Sequence, residues 1–136
     1  MRKLLLFIFP LISSMYSIAQ ADSSECSGFR KGFFSYTDSS GNTVLVDRSK
    51  NYQFEKNIVT KVKTQSRIKW LSACVYELTL VSSNSKAKRK YKYSTLTVQI
   101  LNSNADGYQY SCGCPGVSNG SGYLKKLSRK QYYSLY

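Results

Sequence analysis

Two thiols flank Gly113, at Cys112 and Cys114, in a chain of 136 residues with four cysteines. Thiols this close can hold a soft metal such as Cu(I). They can also form a strained disulfide that exchanges with other thiols, given an exposed thiol with a lowered pKa. The plainer reading is structural, since small domains in oxidising compartments use cysteines as staples. In a flat strand the two Cα atoms lie about 6.6 Å apart, at the upper edge of disulfide geometry. A Cys112–Cys114 bond therefore needs a kink, which Gly113 permits. Otherwise one of the two must join Cys26 or Cys74. Three pairings of the four cysteines stand open.

The chain has no histidine. This removes the commonest general base, the Ser-His and Cys-His routes to a nucleophile, and most zinc ligand sets. Seven acidic residues remain. Asp22 and Glu25 stand near the start, and Asp38 and Asp106 stand in turns. Asp47, Glu55 and Glu77 fall in strand-like segments. Glycoside hydrolysis needs two opposed carboxylates about 5–9.5 Å apart. Glu55 and Glu77 could meet across a sheet, although nothing in their spacing places them there. Solvated or ion-paired carboxylates are the ordinary case on a basic surface. No Gly-rich phosphate loop is present. The expectation is a protein that is not an enzyme and that carries no cofactor and no metal.

Charge points to partners instead. Twenty Lys and Arg against seven Asp and Glu give a net charge of +13. A field of that size favours anionic polymers, lipid headgroups or envelope glycans, and it also serves solubility. The densest run is Lys86-Ala87-Lys88-Arg89-Lys90-Tyr91-Lys92-Tyr93. Lys86, Lys88, Arg89, Lys90 and Lys92 can grip a polyanion, and Tyr91 and Tyr93 can stack beside it. No sequence-specific reading of nucleic acid is expected. The plainer reading is a wet hairpin loop whose lysines discourage edge-to-edge aggregation.

These residues need a scaffold, and the chain supplies strands. β-branched and aromatic residues dominate, punctuated by Gly, Asn, Asp and Ser. Strands are expected at 32–36, 43–48, 52–55, 58–65, 67–71, 74–82, 93–101 and 107–114. Alternation places Tyr108, Tyr110, Cys112 and Cys114 on one face. The pattern is all-β: a small antiparallel barrel or sandwich, lipocalin-like in outline. A closed barrel of this size can hold a small apolar ligand. Trp70 is the expected core anchor. Residues 116–122 are rich in Gly, Ser and Asn, and 124–136 reads as a short helix or a last strand, with the helix preferred. The organisation expected is a β domain over 22–115 and a basic, Tyr-rich tail over 116–136.

Arg2 and Lys3, the apolar run 4–12 and the small residues ending at Ala21 have the order of a secretory signal peptide over 1–21. Cleavage before Asp22 or before Gln20 fits equally. The run is too short for a membrane span, which needs about 20 residues. About 115 residues remain, the size of one domain. The mature chain is expected to be soluble and exported, periplasmic or secreted. Ser23-Ser24-Glu25 lacks the apolar residue that would make Cys26 a lipid anchor.

The segment Ile68-Lys69-Trp70-Leu71-Ser72-Ala73-Cys74-Val75-Tyr76-Glu77-Leu78-Thr79 carries a family resemblance. Cys26-Ser27-Gly28-Phe29-Arg30-Lys31-Gly32-Phe33-Phe34, Arg48 and Gln53-Phe54-Glu55 support it. Over 26–112 the chain resembles a group of small exported proteins of unknown function common in the Bacteroidota. The resemblance implies a Cys26–Cys74 disulfide, with Trp70 packed near it. Ala73, where the group often has Asp, and the added Cys112 and Cys114 depart from the pattern. Such proteins sometimes carry a DNA topoisomerase IV label. That activity needs a nucleotide-driven gate, a metal site and a tyrosine nucleophile spread over large domains, and one small domain has no space for them.

Overall fold

The computed structural model describes residues 23–113 and 120–136. The expected signal segment 1–21, Cys114 and residues 116–119 lie outside this range. Eight strands run in chain order: β1 Gly32–Thr37, β2 Thr43–Arg48, β3 Tyr52–Asn57, β4 Lys63–Trp70, β5 Val75–Ser83, β6 Thr95–Asn104, β7 Gly107–Gly113 and β8 Gly120–Leu127. Each pairs antiparallel with the next, and β8 pairs back onto β1. The sheet is a closed up-and-down barrel, which leaves no strand edge open. The expectation of an antiparallel barrel with a short C-terminal helix holds. α1 (Ser23–Cys26) and a 3-10 turn (Ser27–Phe29) precede β1. α2 (Lys86–Arg89) lies between β5 and β6, and α3 (Arg129–Leu135) follows β8.

Two expectations are corrected. Residues 58–65 and 67–71 are not two strands. Asn57 Oδ1 accepts from the backbone N–H of Val59 and Thr60, and Lys61 adopts φ 59°, so 58–62 is a turn. β4 then runs unbroken to Trp70. Within the expected tail 116–136, whose residues 116–119 lie outside the described range, the segment 120–127 is not outside the sheet either. Gly120–Leu127 is the strand that closes the barrel, and only then does the chain turn into α3. The Ser128 side chain accepts from Gln131 N while the Gln131 side chain accepts from Ser128 N, a reciprocal cap that fixes the start of α3.

Side chains alternate across the wall. Phe34, Val46, Ile68, Tyr76, Leu78, Val98, Ile100, Tyr108 and Leu124 pack inward as one core. A second, smaller cluster lies outside the wall. There Tyr132 of α3 covers Leu45 and Leu127, with Phe33 and Ile58 against them. Space inside is partitioned by glycine: a Cβ on Gly122 would stand 2.6 Å from the Tyr110 hydroxyl. Outward positions of β3, β4, β5 and β8 carry Lys56, Lys63, Arg67, Lys69, Glu77 and Lys125. A membrane-spanning barrel carries an apolar band there. No described helix is long and apolar enough to cross a membrane.

Candidate functional site

The two ends of the barrel differ. One end is sealed by the segment before β1. Cys26 forms a disulfide with Cys74 at the start of β5. That bond seats Phe29, which is 4 % exposed, against Phe34 and Tyr108. Beneath it lies Arg48, 2 % exposed. Its Nη1 donates to the Phe29 carbonyl at 2.8 Å and its Nε donates to Gln53 Oε1 at 2.9 Å. Its Nη2 donates to the Tyr76 and Tyr108 hydroxyls at 3.0 and 3.1 Å. The guanidinium also lies over the rings of Phe34 and Tyr76. Burial opposes its charge, but the facing tyrosine oxygens outweigh burial and hold its pKa above the ordinary value.

A polar chain leads from Arg48 to the other end. Gln53 Nε2 donates to Glu55 Oε1 at 2.7 Å, and the Tyr36 hydroxyl donates to Glu55 Oε2 at 2.9 Å. Glu55 is thus held at both oxygens and is the carboxylate of this hydrogen-bonded series. Burial, and then the Glu55 carboxylate, push the Tyr36 phenol far above its usual range. Burial, and then Cys112 and Glu55, raise Tyr110. Burial raises Tyr76 against the opposing pull of Arg48.

Glu55 opens on the mouth. Two cavities meet there, of about 340 and 180 Å³, and both are bordered by Glu55, Thr64 and Lys88. In the larger, Leu78, Leu80 and Leu96 form an apolar floor, and Tyr91 and Ser94 stand at the rim. The smaller lies beside Tyr36, Asp38 and Asn57. The lining is a mainly apolar hollow with a few fixed polar groups, the usual make-up of a small-molecule site.

The expected basic run lies beside the mouth. Ser85 caps α2 by accepting from Lys88 N. Asn84 ties the loop to β4 by accepting from Lys63 N and donating to the Lys61 carbonyl. Tyr93, at φ 67°, donates its N–H to the Leu80 carbonyl and turns the chain into β6. Lys86, Lys88, Arg89, Lys90, Lys92, Tyr91 and Tyr93 are all exposed. Lys90 and Lys92 lie over the rings of Tyr91 and Tyr93, and Lys88 and Tyr91 reach the mouth.

The other predicted residues fall elsewhere. Cys112 is a free thiol, half-buried inside the wall and 3.2 Å from the site of a Cβ on Gly120. Among the described residues no group of three or more cysteine and carboxylate side chains is placed to hold a metal. Glu55 and Glu77 are not brought together, because Glu55 faces inward while Glu77 sits outward beside Lys69. Trp70 is partly buried at the closed end, against Tyr76 at 4.8 Å and under Arg30 at 4.9 Å. The Arg48–Gln53–Glu55–Tyr36 chain was not foreseen as a unit. Its one signal is polar residues at inward positions of β2 and β3.

Fold and site together define a small up-and-down barrel, plugged at one end by a disulfide-held segment and hollow at the other beside a basic loop. No family model, no curated protein and no solved structure matches the chain.

The buried phenols make stability sensitive to alkali. A phenol whose folded pKa is raised contributes stability that is complete below its unfolded value and is lost as pH climbs through the folded one. Tyr132 is pushed up from 10.0 to about 12 by burial and then by Asp47, and Tyr36, Tyr76 and Tyr110 shift the same way. The urea midpoint should hold up to pH 10 and fall steadily from there toward 12. A Tyr36→Phe variant should fall less steeply, and a flat parental midpoint across that window would refute the assignment.

Proposed function

We propose that this is an exported, non-enzymatic binding module that takes anionic partners at the mouth of its barrel. The observation that carries the reading is the position of the cationic loop. Lys88 of that loop borders a hollow lined by Leu78, Leu80 and Leu96, and Lys86, Arg89, Lys90 and Lys92 stand exposed on the same loop. The loop draws in an anionic polymer or envelope glycan by long-range attraction. The hollow takes a small apolar group, with Lys88 and Glu55 at its border. The disulfide fits an oxidising compartment. The thiol-exchange or soft-metal role of Cys112-Gly113-Cys114 is less well supported, because the Cys112 thiol faces into the barrel.

The test is binding of heparin and of a single-stranded DNA oligomer across a salt series. Affinity for both should fall steeply with salt. In a variant with Lys86, Lys88, Arg89, Lys90 and Lys92 changed to Ser, the log–log slope for DNA should drop by about one per contacting cation removed. Unchanged affinity and slope in that variant would end the reading.

A further inference from the structure

A second hollow, of about 460 Å³, lies on the outer wall between α3 and the outward side chains of β2, β3 and β4. It lies across the β3–β4 wall from the mouth, and Glu55 and Thr64 border both. Its sides are aromatic. Phe54, Tyr133 and Tyr136 are 45, 55 and 53 % exposed, so each ring is about half open to solvent, with Arg129 5.8 Å over the Tyr133 ring. Tyr132 forms the buried inner side, packed at 4.6 Å on Phe33.

Asp47 stands among these rings, at the outward β2 position paired with Phe33 and Phe54. No hydrogen bond or ion pair from the described residues engages its carboxylate. Burial pushes that carboxyl up from its ordinary value, as expected for a group losing water without gaining a partner. Lys56 and Lys63 also border the groove. Lys56 Nζ donates to the Tyr136 carbonyl at 2.6 Å and lies 3.5 Å above the Tyr136 ring.

This mixture selects by elimination. An organic cation would suit the rings and Asp47 but would meet two lysines and a chain of net charge +13. An anion would suit the lysines but would meet Asp47. A wholly apolar group would strip Asp47 of water and give it nothing in return. A neutral ring with C–H faces and hydroxyls around its edge meets every demand. Its faces lie on Phe54 and Tyr133, its hydroxyls donate to Asp47, and its oxygens accept from lysine.

We propose that the groove between α3 and β2–β4 is a second binding site, for a neutral oligosaccharide, with Asp47 as the central acceptor and Phe54 and Tyr133 as stacking platforms. It does not depend on the mouth.

Saturation-transfer NMR with cellotriose, maltotriose and N,N′,N″-triacetylchitotriose tests it, with tetramethylammonium as competitor. At least one trisaccharide should receive saturation at its ring protons. A Phe54→Ala/Tyr133→Ala variant should abolish the signal. Because both side chains are about half exposed the barrel should survive, which circular dichroism checks. Tyr133→Phe, which keeps the ring, should retain binding. Asp47→Asn should weaken it about tenfold, the loss expected from a charge-assisted hydrogen bond. The basic-loop serine variant should bind the sugar like the parent. No transfer to any of the three sugars would overturn the proposal. So would binding that survives the double variant, or displacement of the sugar by tetramethylammonium at equal concentration.

Discussion

A chain with Cys26 and Cys74 both changed to serine should unfold about 4 kcal/mol more easily than the parent. The bridge spans a sequence separation of 48, and the loop-entropy relation for a closed loop of that length gives this figure. For a domain of this size the loss corresponds to a Tm lower by roughly 15 °C. The bridge also seats Phe29 in the closed end, so the damage should be local as well as global. Amide exchange should rise first over 25–30 and around Arg48, whose Nη1 bonds the Phe29 carbonyl. Thermal melts and exchange on the double variant read both effects. A drop of less than about 1 kcal/mol would mean that the plug holds by packing alone and that the bridge is dispensable.

The second large effect belongs to Arg48. Arg48→Ala removes the one donor set shared by Phe29, Gln53, Tyr76 and Tyr108 and leaves a hollow beneath the plug. Stranding buried acceptors costs about 1–3 kcal/mol each, and the cavity adds to it. The expected sum is about 3–5 kcal/mol, moderated because the Tyr76 and Tyr108 hydroxyls still bond one another at 2.8 Å. Arg48→Met, which refills the volume, should recover part of the loss. Urea unfolding of the two variants separates the terms. If Arg48→Ala stayed within about 1 kcal/mol of the parent, the network would not be a source of stability.

Strand alternation made the barrel readable from sequence. Val44 and Val46, Leu96 and Val98, and Tyr108 and Tyr110 each announce an inward face two residues apart. Failures came where alternation and turn chemistry overlap. Residues 58–62 alternate like a strand, but Asn57 captures their backbone with its own side chain. Residues 120–122 look like linker because they are Gly-Ser-Gly. In the fold Gly122 is small because Tyr110 needs the space. The basic loop was legible as charge, but its place above a hollow depends on which strands neighbour it. Arg48, Gln53 and Glu55 were visible only as polar residues at inward positions, which pattern alone does not explain. Asp47 and Tyr133 stand far apart in sequence and share a groove only because α3, packed on β1 and β8, brings its side chains beside those of β2 and β3.

The seam between β1 and β8 sets an order of events. Phe33 pairs with Leu127, so the barrel cannot shut until nearly the whole chain is available. Without β8 the other seven strands would leave two unpaired rims, and such rims invite pairing with other chains. Long-range closure of this kind is also slow, in the millisecond-to-second range of β-rich folds. The disulfide bears on that arrangement, because Cys26–Cys74 ties the segment before β1 to the start of β5. The covalent bond therefore holds the first half of the molecule together without help from β8, the strand that closes the barrel.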